Sequence, residues 1–269
     1  MTYSLGILGA GNMAEAIVRG VTARGVLRND QILAADPVPA RRELFQFLGI
    51  RAVESNLEVA RQSDVLLLSV KPQMMAAALA GIGEVASPET LVISIAAGIS
   101  TGFIEKHLGQ GKAWRVIRTM PNTPMLVGEG IVGMAAGAHA TKADLGTARR
   151  IFESAAEVVE VPEDQIDTVT AVSGSGPAYF FLLVEQMIKA GIELGLSPEV
   201  AHKLATKTAL GAAKMLTTST DSPAELRRKV TSPKGTTYEA ITYMESNNLP
   251  QIIVEAVKAA QRRGRELGQ

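Results

Sequence analysis

The chemistry-bearing residues of this chain begin with Gly9-Ala10-Gly11-Asn12-Met13-Ala14. The first glycine of such a run permits a tight turn. The second lets backbone approach a pyrophosphate, and Ala14 is small enough for a helix to pack on a strand. The N–H groups at the start of the following helix offer that anion donors and a positive dipole end. Asp36 stands 25 residues beyond Gly11, near the spacing of about 20 at which an acid meets a ribose hydroxyl. A carboxylate there favours NAD over NADP. Arg41 and Arg42 follow closely and are able to hold a 2′-phosphate instead. The sequence leaves the two cofactors open.

Further strand ends carry small or polar residues: Ser69-Val70-Lys71-Pro72, Ala96-Ala97-Gly98 and Thr119-Met120-Pro121-Asn122-Thr123-Pro124. Ligands of open parallel sheets bind beyond the carboxyl ends of the strands, so these turns are expected to line a cofactor crevice. Lys71 reads as a binding charge in preference to an acid catalyst. Farther on, Pro233-Lys234-Gly235-Thr236-Thr237 precedes a helical stretch at 238–245. Unpaired N–H groups at such a start suit a carboxylate. Thr236 or Thr237 either caps this helix or hydrogen-bonds a ligand nitrogen; on the residues alone, the cap is favoured. Glu163, beside Asp164, reads as dipole compensation at a helix start. His107, His139 and His202 share no motif and read as surface or helix residues. Trp114, Met74, Met75 and Met187 read as packing. No metal-binding pattern occurs.

The elements that position these residues change character near residue 162. Before it, apolar runs at 4–8, 32–35, 65–70, 91–95, 116–118, 131–135 and 158–161 read as strands. They alternate with helical patterns such as 12–24 and 41–48, with Gly49 as a C-cap. Several are continuously apolar, as in sheets covered on both faces. This predicts an α/β, doubly wound, mainly parallel sheet. After Pro162 the pattern is helical only, at 177–194, from Ser197-Pro198 to about 216, from Ser222-Pro223, and at 250–267. Residues 1–162 are therefore expected to form a Rossmann-type dinucleotide-binding domain and residues 163–269 an all-α domain.

Composition narrows the function. Lys+Arg and Asp+Glu number 27 each, so net charge points to neither nucleic acid nor an anionic membrane surface. The chain holds no Cys, which removes disulfides, thiolate metal sites and a Cys nucleophile together. No apolar run approaches the roughly 18 residues of a membrane span. A cytoplasmic protein without membrane or nucleic-acid partners is expected.

Taken in order, several motifs resemble the pyrroline-5-carboxylate reductase family over essentially the whole chain. They are Gly9-Ala10-Gly11-Asn12-Met13-Ala14, Val70-Lys71-Pro72-Gln73, Ser94-Ile95-Ala96-Ala97-Gly98 and Arg118-Thr119-Met120-Pro121-Asn122-Thr123-Pro124, then Ser173-Gly174-Ser175-Gly176-Pro177-Ala178-Tyr179 and Thr231-Ser232-Pro233-Lys234-Gly235-Thr236-Thr237. The first is generic; the last three in this order are specific. The resemblance implies hydride transfer from NADPH or NADH to the C=N bond of 1-pyrroline-5-carboxylate, giving L-proline. It implies an interwoven homodimer through the helical domain, which in the family often assembles into decamers. It implies cofactor contacts at Asn56, Val70, Lys71 and Ala97, beside Gly9, Ala10, Gly11, Asn12, Met13, Asp36, Pro72 and Gly98. It also implies substrate contacts at Glu163, Ser232, Thr236 and Thr237, with Thr237 as the catalytic candidate. Lys234 departs from the family's Gly-Gly at that turn; an ordinary φ with the side chain in solvent is expected. The rival readings are a hydroxyacid dehydrogenase using Lys189, a reductase of another cyclic imine, and a non-catalytic dinucleotide-binding protein.

Overall fold

The structure, a computed structural model, describes residues 2–109 and 111–267. Short apolar segments of the first part of the chain form a sheet and its covering helices. In chain order these are β1 (Leu5–Leu8), α1 (Asn12–Ala23), β2 (Ile32–Ala35), α2 (Pro39–Phe47), β3 (Arg51–Val53), α3 (Asn56–Arg61), β4 (Val65–Leu68), α4 (Met75–Leu79), α5 (Ile82–Val85), β5 (Leu91–Ser94), α6 (Thr101–Leu108), β6 (Arg115–Met120), β7 (Gly130–Ala136), α7 (Lys142–Phe152) and β8 (Ala156–Glu160). The strands lie in the order β3-β2-β1-β4-β5-β6-β7-β8. All neighbours are parallel except β6 and β7, which run antiparallel. The expected doubly wound sheet is therefore the one observed. Every residue of β1, β2, β4 and β5 is buried, as both-face coverage requires. One apolar cluster, with Phe45 and Phe152, fills one side; the other, with Trp114, fills the opposite side. Strand β3 was not expected. Its Arg51-Ala52-Val53 is too short and too polar to register as an apolar run.

The helical elements are α8 (Ile166–Val169), α9 (Gly176–Glu193), α10 (Pro198–Thr218), α11 (Pro223–Lys229), α12 (Thr236–Ser246) and α13 (Leu249–Leu267), with a π-helical turn at Thr170–Gly174. Ser197 and Ser222 cap their helices by accepting from the N–H groups of Val200 and Glu225, and Pro follows each as the first helical residue. By contact density the chain divides into residues 1–175 with 260–269, the dinucleotide unit, and residues 176–259, the helical unit. Within the helical unit α9 and α10 pack through small residues: Ala201 and Ala205 are buried, and a Cβ on Gly191 would lie 3.2 Å from that of Ala201. Two expectations of packing are corrected. Met75 is fully buried, but Met74 and Met187 are 56% and 42% exposed. Met74 lies in a 3-10 turn and Met187 within α9. Among the described residues, no helix is long and apolar enough to cross a membrane.

Candidate dinucleotide and imino-acid sites

The chain doubles back between β1 and β4, and at that switch point the strand ends separate. Gly9 follows β1 with φ +96°, and a Cβ there would sit 2.8 Å from the Ser69 carbonyl oxygen. Only glycine fits this turn. Its N–H donates to the Ala35 carbonyl at 2.8 Å. Gly11 is the N-cap of α1, and nothing lies within 4 Å of its missing Cβ. An open cradle of backbone at a helix start results, with exposed Asn12 and half-buried Met13 beside it. That arrangement fits a dinucleotide pyrophosphate.

Asp36 sits at the end of β2, only 9% exposed. Its Oδ2 accepts from the Ala10 N–H at 2.8 Å, and its Oδ1 accepts from the Val38 N–H at 2.8 Å. Arg41 donates Nε–H to the Ala10 carbonyl oxygen and pairs with Glu15 at 3.2 Å. Arg42 donates to the carbonyls of Asp36 and Pro37 at 2.7 and 2.9 Å. The carboxylate thus ties the glycine turn to the β2–α2 link.

The remaining cofactor candidates occupy the carboxyl ends of neighbouring strands. Asn56 opens α3 and donates to the Ala78 carbonyl at 3.4 Å. Val70 is half-buried, Lys71 is exposed in extended backbone, and Pro72 starts a 3-10 turn. Beyond β5, Ala97 is half-buried, and Gly98 turns the chain with φ +77°. The Ser94 hydroxyl accepts from the Ala96 N–H at 3.2 Å, which fixes the start of this turn.

Glu163 does not serve its own helix start. Its Oε1 accepts from the Thr101 N–H and its Oε2 from the Thr101 hydroxyl, both at 2.7 Å. It therefore sits on the N-terminus of α6, where a carboxylate meets unpaired N–H groups. Arg118, buried in β6, lies 3.9 Å from Glu163 and 2.5 Å from Asp167. Sequence reasoning missed Thr101 and Asp167 as partners. The available signal was Arg118 itself, a cation directly after the apolar pair Val116-Ile117 of a strand, where burial obliges it to be paired.

In the helical unit, Lys234 has φ +57°. The expected ordinary φ is therefore wrong, although its side chain is exposed as expected. A left-handed residue turns the chain tightly enough for the Gly235 N–H to reach the Ser232 carbonyl at 3.0 Å. A Cβ on Gly235 would come within 2.4 Å of the Ser232 Oγ. Helix α12 begins earlier than expected, at Thr236, with Gly235 as N-cap. Thr236 and Thr237 are thus the first two helical residues, and the simple cap role is overturned. A glycine cap supplies no side-chain acceptor, so the first N–H groups of α12 remain available. Thr236 is exposed and Thr237 half-buried, and neither hydroxyl bonds another described residue.

Lys189 is exposed and 3.9 Å from Glu193 on its own helix, the setting of a solvated pair. His107, His139 and His202 are all exposed. No group of His, Cys, Asp or Glu among the described residues is placed to hold a metal ion.

A parallel sheet with a glycine turn at its switch point, in a chain whose second half is helical, has the architecture of a dinucleotide-binding protein. Residues 4–98 match the family of coenzyme F420-dependent NADP oxidoreductases, and residues 163–267 match the pyrroline-5-carboxylate reductase dimerisation family. The chain is 44% identical to the pyrroline-5-carboxylate reductase of Pseudomonas aeruginosa, over 100% of this chain and 98% of that one. Its fold superposes on the pyrroline-5-carboxylate reductase of Coxiella burnetii with a TM-score of 0.89 at 37% identity, covering 100% of both chains. The Plasmodium falciparum pyrroline carboxylate reductase, solved with NADP bound, gives 0.88 at 29% identity over 99% and 98% of the two chains. The chain belongs to the pyrroline-5-carboxylate reductase family.

Proposed function

We propose that the backbone donors at the start of α12, with Thr237, hold the imino acid that this reductase converts to L-proline. The reaction is reduction of the C=N bond of 1-pyrroline-5-carboxylate. The observation that carries the assignment is the α12 N-terminus, whose Gly235 cap offers no side-chain acceptor, with a Thr237 hydroxyl in its first turn that bonds no other described residue.

Bound NAD(P)H supplies the hydride that the imine carbon accepts. The N–H groups of Gly11, Asn12 and Met13 would hold its pyrophosphate, in a turn shaped by Gly9 and Ala10 whose own N–H groups go to Ala35 and Asp36, while Asn56, Val70, Lys71, Pro72, Ala97 and Gly98 would line its path along the strand ends. The substrate carboxylate takes the N–H groups of Thr236 and Thr237, with Ser232 beside them. The Thr237 hydroxyl meets the ring nitrogen and orients the ring. A protonated imine accepts a hydride more readily than a neutral one. It arrives with its proton, so the protein need only bind and orient that form. This agrees with the exposed histidines, none of which is placed as a general acid.

Glu163 remains a candidate substrate contact; its carboxylate accepts from the Thr101 N–H and hydroxyl. Residues 1–162 carry the dinucleotide function. Residues 163–269 carry substrate binding and dimerisation, with five dimers assembling as a decamer.

The test is loss of nicotinamide absorbance when purified protein meets 1-pyrroline-5-carboxylate with NADPH or NADH, with proline assayed as product. Oxidation of a hydroxyacid with NAD instead would favour the dehydrogenase reading. Thr237→Ala is expected to lower kcat about tenfold, the worth of one hydrogen bond made to the reacting group, with dinucleotide affinity within about twofold. An unchanged kcat removes Thr237 from the site.

A further inference from the structure

We infer that buried Arg118 is a positioning residue for the dinucleotide. Through Glu163 it fixes Thr101, and so the β5–α6 turn at 95–100 along the cofactor path. This rests on the reading that Ala97 and Gly98 line that path.

The turn does not hold itself. Among the described residues the backbone of Ala97 and Gly98 makes no hydrogen bond. Buried Ile99 packs the turn down, but apolar packing is non-directional and does not orient peptide groups. Orientation is therefore set at the two ends. At the first, the Ser94 hydroxyl accepts from the Ala96 N–H at 3.2 Å, and the Thr119 hydroxyl donates to the Ser94 carbonyl at 2.9 Å. At the second, the Ser100 hydroxyl accepts from the Phe103 N–H at 3.1 Å, and Thr101 gives both its N–H and its hydroxyl to Glu163.

Arg118 governs that second end. Its side chain is 5% exposed and lies 2.5 Å from Asp167 and 3.9 Å from Glu163. Its Nε–H has no partner among the described residues, so these two carboxylates are what balances a buried cation. The converse also holds. Without the guanidinium, Glu163 and Asp167 are like charges sharing a largely buried place, and repulsion drives Glu163 towards water and off Thr101. A planar fork serves two carboxylates at once, which the single ammonium of a lysine does not. Arg118 also stands opposite Ser94 in the β5–β6 register. One point of β6 thus sets both ends of the turn: Thr119 holds its start, and Arg118 holds its finish through Glu163.

Titration of NADPH and NADH, followed by their own fluorescence, tests this without turnover. Thr101→Val removes the hydroxyl at constant shape and should raise the dinucleotide Kd about fivefold, part of the worth of a hydrogen bond to a charged group. Thr101→Ser restores the hydroxyl and should stay within about twofold of the unmodified enzyme. Arg118→Met should raise Kd about tenfold, and Arg118→Lys should recover only part of that. Because both residues act through one tie, adding Thr101→Val to Arg118→Met should cost less than a further factor of about two. At saturating dinucleotide, the KM for 1-pyrroline-5-carboxylate should stay within about twofold in each variant. Phe152→Ala, a core change elsewhere in the sheet unit, should lower the melting temperature and leave the dinucleotide Kd unchanged, which separates positioning from stability. If Arg118→Met does not fold, the two Thr101 variants decide. An unchanged Kd in Thr101→Val overturns the inference, as do a Thr101→Ser variant no better than Thr101→Val and effects that simply multiply in the double variant. Failure of the unmodified enzyme to bind either dinucleotide overturns the dinucleotide reading itself.

Discussion

The two units of this chain bury apolar residues in opposite ways. In the dinucleotide unit the large side chains point inward: Phe45, Phe152 and Trp114 are at most 1% exposed. In the helical unit the inward positions between α9 and α10 go to Ala201, Ala205 and Gly191, and the large side chains point out. Phe180 and Phe181 are 63% and 68% exposed, with Leu182, Leu183, Leu204, Leu210, Ile252 and Ile253 in similar positions. One unit is a finished core. The other is half of one, because an apolar surface of this extent marks an interface. The match of residues 163–267 to a dimerisation family accounts for the difference. Stability should be a property of one chain in the first unit and of the assembly in the second.

The sharpest way to break that comparison is Phe181→Asp. A charge in the outward face of α9 should abolish assembly, seen as loss of the oligomer in sedimentation and as a melting temperature independent of concentration. The unmodified protein should melt higher as concentration rises. An oligomer that survives Phe181→Asp would show that this face is solvated. The counterpart is Phe45→Ala, expected to cost about 3–5 kcal/mol in denaturant unfolding. That loss should appear at every protein concentration, with the oligomer intact.

The same contrast explains what was legible beforehand. Continuous apolar runs such as Val65–Leu68 and Leu91–Ser94 announced buried strands, because a run apolar on both faces has nowhere else to go. The helical spacing of Phe180, Phe181, Val184 and Met187 announced α9 equally well. Periodicity reports only that a face is covered, not by what, so Met187 read as core. The glycine turn was legible because Gly9 and Gly11 answer to local geometry. The pairing of Glu163 with Thr101 was not, since 62 residues separate them and nothing in either neighbourhood encodes the approach. Lys234 misled for a related reason. A lysine rarely adopts φ > 0, so local preference pointed one way, while the Gly235-to-Ser232 hydrogen bond of the folded turn points the other.

That turn allows a smaller test within the helical unit. Lys234→Gly should relieve the left-handed strain and stabilise the protein by about 0.5–1 kcal/mol, the side-chain penalty less the greater chain entropy of glycine. Denaturant unfolding at fixed concentration measures it. A loss of stability would mean that the lysine side chain contributes more than its backbone costs.

The smallest effect concerns acid, and it too separates the units. In α11 the Lys229 ammonium, 2.6 Å from Asp221, holds that carboxyl below the usual carboxylate range. The Arg228 guanidinium does the same for Glu225, also at 2.6 Å. A carboxyl whose folded pKa is depressed contributes stability above its unfolded pKa, about 4, and loses it as pH falls through the lower folded value. The contribution is therefore complete at pH 7 and gone in strong acid. These groups are at the surface, so salt and water screen them and the effect is local. Amide exchange should show α11 losing protection as pH falls below about 4, while β1, β2, β4 and β5, which hold no carboxylate, keep theirs. In 1 M salt the α11 change should diminish. Equal loss in both units would show that acid acts on the assembly as a whole, and that α11 has no separate stake in its ion pairs.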